Sequence, residues 1–396
     1  MDDLFRKAVP VLDKLEKAGY EAYFVGGCVR DHLIGRPIHD VDIASSATPE
    51  EVKSLFPKTV DVGIEHGTIM VLEEGSSYEV TTFRTETGYS DFRRPDAVTF
   101  VRSLEEDLKR RDFSMNSIAM DKQGKLIDPY NGRQDIESRI IKTVGNPEDR
   151  FREDALRMMR AIRFVSQLGF RVDDKAFHSL QTHGALLQNI AMERIFSEFE
   201  KIVAGPFKAA ALRMLLESNI HEYLPGFRDQ RDNIAQLLEY PLEQLNSDEV
   251  WALLLFHIES ETEEHLLRAW KMPVKKMKKI KKICRLALKT PFFAGNELEL
   301  FSAGRTAAVE AGKVWACLHN EDPVMGEDVG KAYDRLVIKD KKELDVTGND
   351  LLQWSGKNGG PWVKDSLDQA LSAVLTQKVH NNKTEIREWL RQCNLI

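Results

Sequence analysis

Two aspartates, Asp40 and Asp42, are the residues whose type and spacing most directly predict chemistry. Residues 38–43 alternate between apolar and polar side chains, which predicts a strand, and residues i and i+2 of a strand point to the same face. Two carboxylates held together repel each other unless a cation lies between them. Carboxylate oxygens beside substrate phosphates suit Mg²⁺. The pair therefore predicts a site where two Mg²⁺ ions assist an in-line displacement.

A third carboxylate would complete such a site, and it has to come from a neighbouring strand. Glu79 lies in the alternating segment 78–83 and is the first candidate, and Asp112 is the second. The alternative for Glu79 is an ordinary exposed strand residue. The dipeptide His39-Asp40 also occurs in metal-dependent phosphohydrolases, but there it lies on a helix, whereas this segment alternates like a strand. The predicted catalytic set is Asp40, Asp42 and Glu79.

Two glycines lie upstream of the aspartates. A predicted strand at residues 22–25 ends at Gly26-Gly27. Glycines at the end of a strand let backbone N–H groups approach a triphosphate closely. Arg30 follows within one helical turn and could reach a phosphate oxygen. Two glycines alone predict only a turn, so it is the combination with the aspartates that predicts a nucleotide site.

A second segment, residues 152–164, predicts a helix with arginines along one side. Arg157, Arg160 and Arg163 recur every three residues, so they wind slowly around the helix. Asp154 precedes them at the same spacing. The residues predicted to face the core are Leu156, Met159 and Phe164.

Asp154 and Arg157 together could read the edge of a base, because a carboxylate only accepts hydrogen bonds and a guanidinium only donates them. Cytosine and adenine both present an amino donor beside a ring acceptor, whereas uracil and guanine present the reverse order. A wrong base would leave buried groups unpaired, at about 1–3 kcal/mol each. This pair would select C and A without a template, with Arg160 and Arg163 holding phosphate, sugar or the pair itself. The alternative is an ordinary basic helix with an Asp–Arg ion pair.

The elements that must position these residues change character along the chain. Strands and helices mix irregularly through the first 140 or so residues, which predicts an α+β head, and helical periodicity dominates from about residue 147 onward. The predicted strands are residues 22–25, 41–44, 68–72 and 78–83. The predicted helices are residues 4–18, 49–56, 152–168, 192–203, 208–218, 250–258, 275–288 and 363–376.

The length of 396 residues predicts two to four domains. The net charge of −7 by itself counts against a nucleic-acid partner, but the basic residues are clustered. Seven lysines lie in residues 271–282, and this segment predicts either a phosphate-binding surface or a solvated helix face.

The sequence also predicts a compartment. No apolar run approaches the ~18–20 residues that a membrane span needs, and the start Met1-Asp2-Asp3-Leu4 lacks the pattern of a secretory signal. The cysteines never form CxxC, which argues for a reducing cytoplasm and against a zinc site or a disulfide framework. We therefore expect a cytoplasmic protein with no membrane partner. The cysteines are Cys28, Cys284, Cys317 and Cys393.

Five segments together resemble the class II tRNA nucleotidyltransferases, the bacterial CCA-adding enzymes, and in particular the Bacillus type. They have the family's order and spacing. Two further segments, residues 348–351 and 360–363, look like the family's C-terminal region, so the resemblance covers nearly the whole chain. The five segments are residues 24–31, 40–44, 79–84, 110–119 and 153–157 with the arginines that follow.

The resemblance implies template-independent addition of C, C and A to the 3′ end of tRNA from CTP and ATP. It implies a polymerase-β type nucleotidyltransferase head with a mixed β-sheet, followed by all-α neck, body and tail domains. The predicted boundaries are residues 1–145, 146–205, 206–290 and 291–396, with tRNA binding assigned to the last. Asp40 and Asp42 would bind Mg²⁺. The implied nucleotide contacts are Gly27, Arg30, Arg111, Asp154, Arg157, Arg160 and Arg163.

The family also supplies alternatives. Its members include CC-adding enzymes, A-adding enzymes and bacterial poly(A) polymerases. CC-adding forms lack a flexible head loop, which residues 86–98 would supply here, and poly(A) polymerases tend to carry a basic C-terminal extension that this sequence lacks before Ile396. One departure is His39, where relatives usually have Gly. An alternative of another class is a non-catalytic RNA-binding protein, and the assembly stays open, with a homodimer among the options.

Overall fold

The structure is a computed structural model that describes residues 2–88, 97–289 and 296–396. The chain divides into two units, Met1–Arg231 and Asp232–Ile396. Strands occur in the first unit, and helices are the regular elements of the second in its described residues. The expected change from a mixed α+β head to a helical remainder is therefore confirmed.

The first unit contains every strand that the structure describes. These strands are β1 (Ala22–Val25), β2 (Asp42–Ser45), β3 (Thr59–Gly63), β4 (Thr68–Glu73), β5 (Ser76–Thr82), β6 (Arg84–Thr87), β7 (Ala97–Phe100), β8 (Ala119–Met120), β9 (Leu126–Ile127), β10 (Ile140–Ile141) and β11 (Arg171–Val172).

The first unit also contains helices, which predominate after β10. They are α1 (Asp3–Lys17), α2 (Gly27–Leu33), α3 (Pro49–Leu55), α4 (Leu104–Lys109), α5 (Gly132–Glu137), α6 (Pro147–Glu153), α7 (Leu156–Leu168), α8 (Asp174–His183), α9 (Met192–Ala204) and α10 (Lys208–Glu217). Short 3₁₀ turns lie at Ile64–His66, Ser114–Asn116, Gly184–Asn189 and Ile220–Tyr223.

The main sheet has seven strands in the order β3-β4-β5-β2-β1-β8-β9. It is mixed, because β2 and β5 run parallel while the other neighbours are antiparallel. Two small ribbons, β6–β7 and β10–β11, lie outside it. The predicted mixed sheet is confirmed, and the strand predicted at residues 22–25 has those bounds.

The apolar face of the central strands forms the core that fixes the sheet under the site. Val25 of β1 and Ala44 of β2 are almost fully buried and pack with Phe83, Leu108 and other buried side chains. Side chains two residues apart on a strand share a face. Asp42, the first residue of β2, lies two residues before Ala44 and opposite Val25 in the register, so it is on the same face as this core, and Val25 and Asp42 both line the cleft described below.

The second strand begins later than the alternation predicts, and this leaves one aspartate outside it. Alternation over residues 38–43 predicted strand structure at both aspartates, whereas β2 begins at Asp42. Asp40 therefore lies in the preceding loop rather than two residues along the same strand. The prediction that strand alternation would align both aspartates is wrong for Asp40.

The helix predicted over residues 152–168 is also corrected, because it is two helices. α6 ends at Glu153, Asp154 has extended backbone angles (φ −135°, ψ 101°), and α7 begins at Leu156. The Asp154 carboxylate accepts a hydrogen bond of 3.1 Å from the Leu156 N–H. Aspartate favours such local bonds over a continuous helix, so it interrupts the helix here.

The helices of the second unit begin with α11, which starts at the last residue of the first unit. They are α11 (Arg231–Gln236), α12 (Ser247–His257), α13 (Glu263–Ala269), α14 (Val274–Ala287), α15 (Glu297–Ala303), α16 (Arg305–Leu318), α17 (Met325–Asp334), α18 (Gly348–Ser355), α19 (Pro361–Leu375) and α20 (Lys383–Gln392), with 3₁₀ turns at Leu237–Glu239, Leu242–Gln244 and Lys341–Glu343. None of the helices in the described part of the chain is long and apolar enough to cross a membrane.

Candidate active site

A cleft of about 1010 Å³ in the first unit gathers the residues singled out from the sequence. Carboxylates from the sheet line it, together with arginines of α2, α7 and α9 and of the turn that follows α4. The predicted residues that line it are Gly27, Arg30, Asp40, Asp42, Glu79, Arg111, Asp154, Arg157, Arg160 and Arg163. The runner-up carboxylate, Asp112, lines it too.

Three carboxylates influence one another on the sheet side of the cleft. Parallel pairing places Asp42 directly opposite Glu79 in the backbone register of β2 and β5. Burial, followed by the charges of Asp40 and Glu79, raises the pKa of Asp42 to about 6, and the Arg111 guanidinium only partly opposes this. An aspartate in this position repels its neighbours when it is ionised.

A divalent cation bound between these carboxylates would relieve their repulsion. Oxygen ligands of this kind suit a hard cation such as Mg²⁺, which binds through one or two carboxylates together with substrate phosphates. Within residues 2–88, 97–289 and 296–396, no group of three or more His, Cys, Asp or Glu residues is arranged to hold a metal. Glu79 is thus near Asp42 without completing a preformed metal cluster, and its catalytic role stays a prediction.

The turn between β1 and α2 leaves space for an arginine beside these carboxylates. Gly26 has φ +77°, and a Cβ on it would lie 3.2 Å from Arg111 Nη1 and 3.7 Å from Asp42 Oδ2. The guanidinium of Arg111 also donates to Asp107 Oδ2, by Nη2 at 3.1 Å and by Nε at 3.3 Å. Buried Asp107 therefore orients Arg111, and the glycine leaves it room beside Asp42.

Arg30 is held from two sides at the start of the cleft. Its Nη1 donates to Asn116 Oδ1 at 2.7 Å, and Nε and Nη2 donate to the Asp31 carboxylate, each at 3.0 Å. Its guanidinium also lies 5.1 Å from the ring centroid of Phe164. The position is therefore rigid, which suits a residue that binds a fixed phosphate.

Phe164 contacts two further arginines. The guanidinium of Arg160 lies 5.7 Å from the Phe164 centroid and that of Arg163 lies 4.6 Å from it. Burial, followed by the charge of Arg160, lowers the pKa of Arg163 to about 10. The aromatic face stabilises cations that would otherwise repel one another, so Phe164 holds part of the basic wall together.

The Asp112 carboxylate accepts hydrogen bonds from other side chains of the protein. Arg160 Nε donates to its Oδ2 at 2.7 Å, and Asn116 Nδ2 donates to its Oδ1 at 3.1 Å. Burial tends to raise the pKa of Asp112, but Arg160 and Asn116 outweigh it and hold that pKa below the ordinary value. Asp112 thus orients Arg160, whereas Glu79 lies exposed opposite Asp42, so the geometry favours Glu79 of the two candidates.

Asp154 and Arg157 line the same cleft but are bonded to other groups. Arg157 Nη1 donates to Glu153 Oε2 at 2.6 Å, and its Nη2 donates to the Arg110 carbonyl at 3.1 Å. Asp154 Oδ2 accepts from Arg194 Nη2 at 3.3 Å. The backbone joins the two residues across the interruption after α6, since the Arg157 N–H donates to the Asp154 carbonyl at 3.0 Å.

The chain is similar to known proteins over its whole length. A curated protein of Geobacillus sp. (strain WCH70), named CCA-adding enzyme, is 47% identical over 399 residues, which cover 100% of this chain and 99% of that protein. One from Bacillus cereus (strain B4264), with the same name, is 46% identical and covers 99% of each chain. Identity of this extent shows common descent over the whole length.

The chain belongs to the CCA-adding enzyme family of tRNA nucleotidyltransferases. Its regions match three family descriptions: Poly A polymerase head domain at residues 22–142, probable RNA and SrmB-binding site of polymerase A at residues 169–230, and tRNA nucleotidyltransferase domain 2, putative, at residues 243–390. As a member of this family, the chain is a nucleotidyltransferase with the polymerase-type head followed by helical domains.

Solved structures of CCA-adding enzymes agree with this assignment. The Bacillus stearothermophilus enzyme in complex with CTP aligns with a TM-score of 0.87 and 46% identity, over 100% of this chain and 98% of that one. The Thermotoga maritima enzyme, solved with tRNA, aligns with a TM-score of 0.61 at 20% identity, over 99% and 96% of the two chains, and shows the shared fold alone. Use of a divalent metal is a property of this nucleotidyltransferase family.

Two residues of α9 that contact residues of the cleft were not singled out from the sequence. Arg194 from α9 contacts Asp154, and Glu198 from the same helix pairs with Arg163 at 3.2 Å. Residues 40 positions apart in sequence give no local pattern that would join them. The charges of Arg194 and Glu198 on the largely apolar face of α9 were the only available signal.

The predicted head loop at residues 86–98 is described only at its two ends. β6 and β7 pair as an antiparallel ribbon, with Glu86 opposite Val98 and Thr87 opposite Ala97. Glu86 accepts from Arg84 Nε at 2.9 Å and from Arg110 Nη1 at 3.1 Å. The base of the loop is thus attached to the cleft, and residues 89–96 lie outside the described residues.

Proposed function

We propose that this chain adds C, C and A to the 3′ end of tRNA from CTP and ATP, releasing pyrophosphate. One observation carries the proposal: the same cleft is lined by Asp40 and Asp42 and by Asp154 and Arg157. The first pair supplies oxygen ligands beside the reacting phosphate, and the second supplies an acceptor and a donor for a base.

Asp40 and Asp42 are the proposed ligands of Mg²⁺, with Glu79 as the neighbouring catalytic carboxylate. When bound, the ions activate the attacking 3′-hydroxyl and stabilise the departing pyrophosphate. The repulsion that raises the pKa of Asp42 supports this assignment, because a bound cation favours the ionised carboxylate. Gly27, Arg30 and Arg111 are the proposed triphosphate contacts.

Base choice is proposed to rest on Asp154 and Arg157. The Asp154 carboxylate accepts from the amino group of cytosine or adenine, and a guanidinium N–H of Arg157 is donated to the adjacent ring nitrogen. Bonds from Arg157 to Glu153 and to the Arg110 carbonyl orient its guanidinium in the cleft. Arg160 and Arg163, which lie on α7, hold this pair in position.

The remaining predictions are part of the same proposal. We assign head, neck, body and tail to residues 1–145, 146–205, 206–290 and 291–396, and tRNA binding to the tail. We place the protein in the cytoplasm. Light scattering of the purified protein separates a monomer from a homodimer.

The test is extension of a tRNA transcript that lacks the terminal CCA, with each of the four nucleoside triphosphates offered separately and then CTP and ATP together. Labelling with CTP, followed by ATP, is expected, with little use of UTP or GTP. Incorporation of ATP alone would assign the chain to the A-adding members of the family. Binding without pyrophosphate release would assign a non-catalytic RNA-binding role.

Asp42→Asn tests the metal assignment. We expect extension to fall by about 10³-fold or more, because several kcal/mol of metal-dependent charge stabilisation are lost. Asp61→Asn is the matched control, since Asp61 is an exposed aspartate on β3 that pairs with Lys53 and lies outside the cleft. Normal activity of Asp42→Asn, measured at saturating MgCl₂, would remove Asp42 from the catalytic set.

A further inference from the structure

A second, smaller cleft lies in the helical unit, between α14 and the start of α16. Its volume is about 440 Å³. Its described lining contains five basic side chains and no Asp or Glu. The lining residues are Lys275, Lys278, Lys279, Lys282, Ala303, Gly304, Arg305, Thr306 and Ala307. We call it the α14–α16 cleft.

The lysines of α14 differ in how their charges are balanced. On the sides of α14 away from the cleft, Lys276 pairs with Asp248 and Lys281 pairs with Glu264. Lys279, at the edge of the cleft, pairs with Asp248 and with Glu310.

Facing the cleft, Lys275 and Lys278 have no ion-pair or hydrogen-bond partner within residues 2–88, 97–289 and 296–396. Lys282 donates to the Ala303 carbonyl at 2.8 Å, which orients it without neutralising it.

The lysines without a balancing charge lie in a line along α14. Lys275, Lys278 and Lys282 follow the i, i+3, i+7 pattern of one helix face, so they extend over about 10 Å along the axis. Unpaired cations lined up in a groove repel one another and attract a polyanion. A line of charge fits a nucleic-acid backbone better than it fits a single small anion.

The opposite wall adds backbone donors. α16 spans Arg305–Leu318, and its N-cap, Gly304, provides no side-chain hydrogen bond to the first turn. The first N–H groups of such a helix have no intrahelical acceptor and carry partial positive charge. Arg305 at the rim is paired with Asp334 at 3.0 Å, so the lysines and these N–H groups dominate the field in the cleft.

We propose that the α14–α16 cleft binds backbone phosphates of the tRNA substrate, at a site separate from the catalytic cleft. The proposal rests on the proposed function for the identity of the RNA. Lys275, Lys278 and Lys282 contact successive phosphates from one side, and the first turn of α16 contacts a phosphate from the other. Such contacts position RNA without reading its sequence.

The first test is the double variant K275A/K278A. Its matched control is K281A/K289A, which removes two lysines whose charges are already paired with Glu264 and Glu299. Equilibrium binding of a tRNA transcript lacking CCA is measured at several salt concentrations. We expect the Kd of K275A/K278A to rise by about 5- to 10-fold at about 0.1 M salt, with the salt slope lowered by about 1–2. The control should bind like the unmodified chain.

The second test is T306D, which places a carboxylate in the first turn of α16. A negative charge there favours the helix, so thermal stability should be kept while phosphate is repelled. We expect the Kd for tRNA to rise about as much as in K275A/K278A. Nucleotide addition by the control K281A/K289A should keep the rate of the unmodified chain.

The outcomes separate the two proposals. If the unmodified chain binds and extends tRNA and both cleft variants do so with the same Kd and salt slope, the cleft assignment is overturned. It is also overturned if the variants lose only the binding of inorganic phosphate, since the ligand is then a small anion. If the unmodified chain neither binds nor extends tRNA, the proposed function fails first, and the cleft assignment fails with it.

Discussion

At the scale of single residues, Asp42 carries an electrostatic cost in the folded chain. Its pKa is raised from 3.8 to about 6, first by burial and then by Asp40 and Glu79. A carboxyl with a raised pKa binds more protons in the folded than in the unfolded chain, so the unfolding free energy falls as pH rises from about 4 to about 6. Above about pH 6 the full cost is present, and below about pH 4 it is absent.

Asp42→Asn is therefore expected to stabilise the metal-free protein at about pH 7.5, by about 1–3 kcal/mol in the unfolding free energy. The gain should shrink to near zero at about pH 4. Chemical denaturation in EDTA at both pH values measures it, with Asp61→Asn as control. An equal effect at both pH values would show that repulsion at this site does not set the difference.

Asp154 is the residue whose loss should affect base choice most directly. Asp154→Ala removes the acceptor for an amino group, so discrimination of CTP and ATP against UTP and GTP should fall by about 5- to 150-fold, equivalent to about 1–3 kcal/mol. The Kd for tRNA should not change. Single-nucleotide incorporation rates measure the ratio.

The matched control for that change is Asp149→Ala. Asp149 is an exposed aspartate in the first turn of α6, five residues from Asp154 and absent from the lining of the cleft. Its variant should discriminate like the unmodified chain. A ratio that stays unchanged in Asp154→Ala would mean that another group reads the base.

At the scale of elements, the turn from β1 into α2 decides whether Arg111 can lie beside Asp42. Gly26→Ala should destabilise the fold by about 1–2 kcal/mol, because φ is +77° at this position. It should also lower the activity, because the new Cβ crowds Arg111 Nη1. Thermal unfolding and tRNA extension measure the two effects.

Gly124→Ala separates those effects. Gly124 has φ +88°, but a Cβ there meets no atom within 4 Å. This variant should lose a similar stability while keeping its activity. If Gly26→Ala also keeps full activity, the close approach of Arg111 to the turn has no catalytic consequence.

The interruption between α6 and α7 is a second case at this scale. The sequence pattern indicated one helix, because Arg152 and Glu153 continue the periodicity of α7. The Asp154 carboxylate instead bonds to Leu156 N–H and to Arg194. A side-chain bond from a distant helix competes with helix propensity here, and propensity is worth only a few tenths of a kcal/mol per residue.

At the scale of the whole molecule, the complete lining of the catalytic cleft, from Val25 to Lys201, belongs to the first unit. A chain of residues 1–231 keeps this whole lining and is therefore expected to bind CTP and ATP with a Kd within about threefold of the full chain. A threefold change in Kd corresponds to about 0.7 kcal/mol of binding free energy. Calorimetric titration of both proteins measures this.

The same fragment should bind tRNA poorly, because the α14–α16 cleft lies in the second unit. Asp154→Ala made in the fragment controls for specific nucleotide binding. If the fragment is folded by circular dichroism but binds neither nucleotide, the second unit contributes to the nucleotide site.

The sequence by itself determined what depends on local pattern. Alternation indicated the central strands, helical periodicity indicated the second unit, and the spacing of Asp40, Asp42, Asp154 and the arginines identified a nucleotide cleft. These features follow from neighbours within a few residues, where steric and hydrophobic preferences act directly.

Only the tertiary structure decided which distant groups meet. Parallel pairing set Glu79 opposite Asp42, and the packing of α7 against the head gave Asp112 to Arg160. Which lysines of α14 remain unbalanced likewise depended on where distant carboxylates lie. The energy of a charge depends on its surroundings in three dimensions, and a linear spacing carries no record of those surroundings.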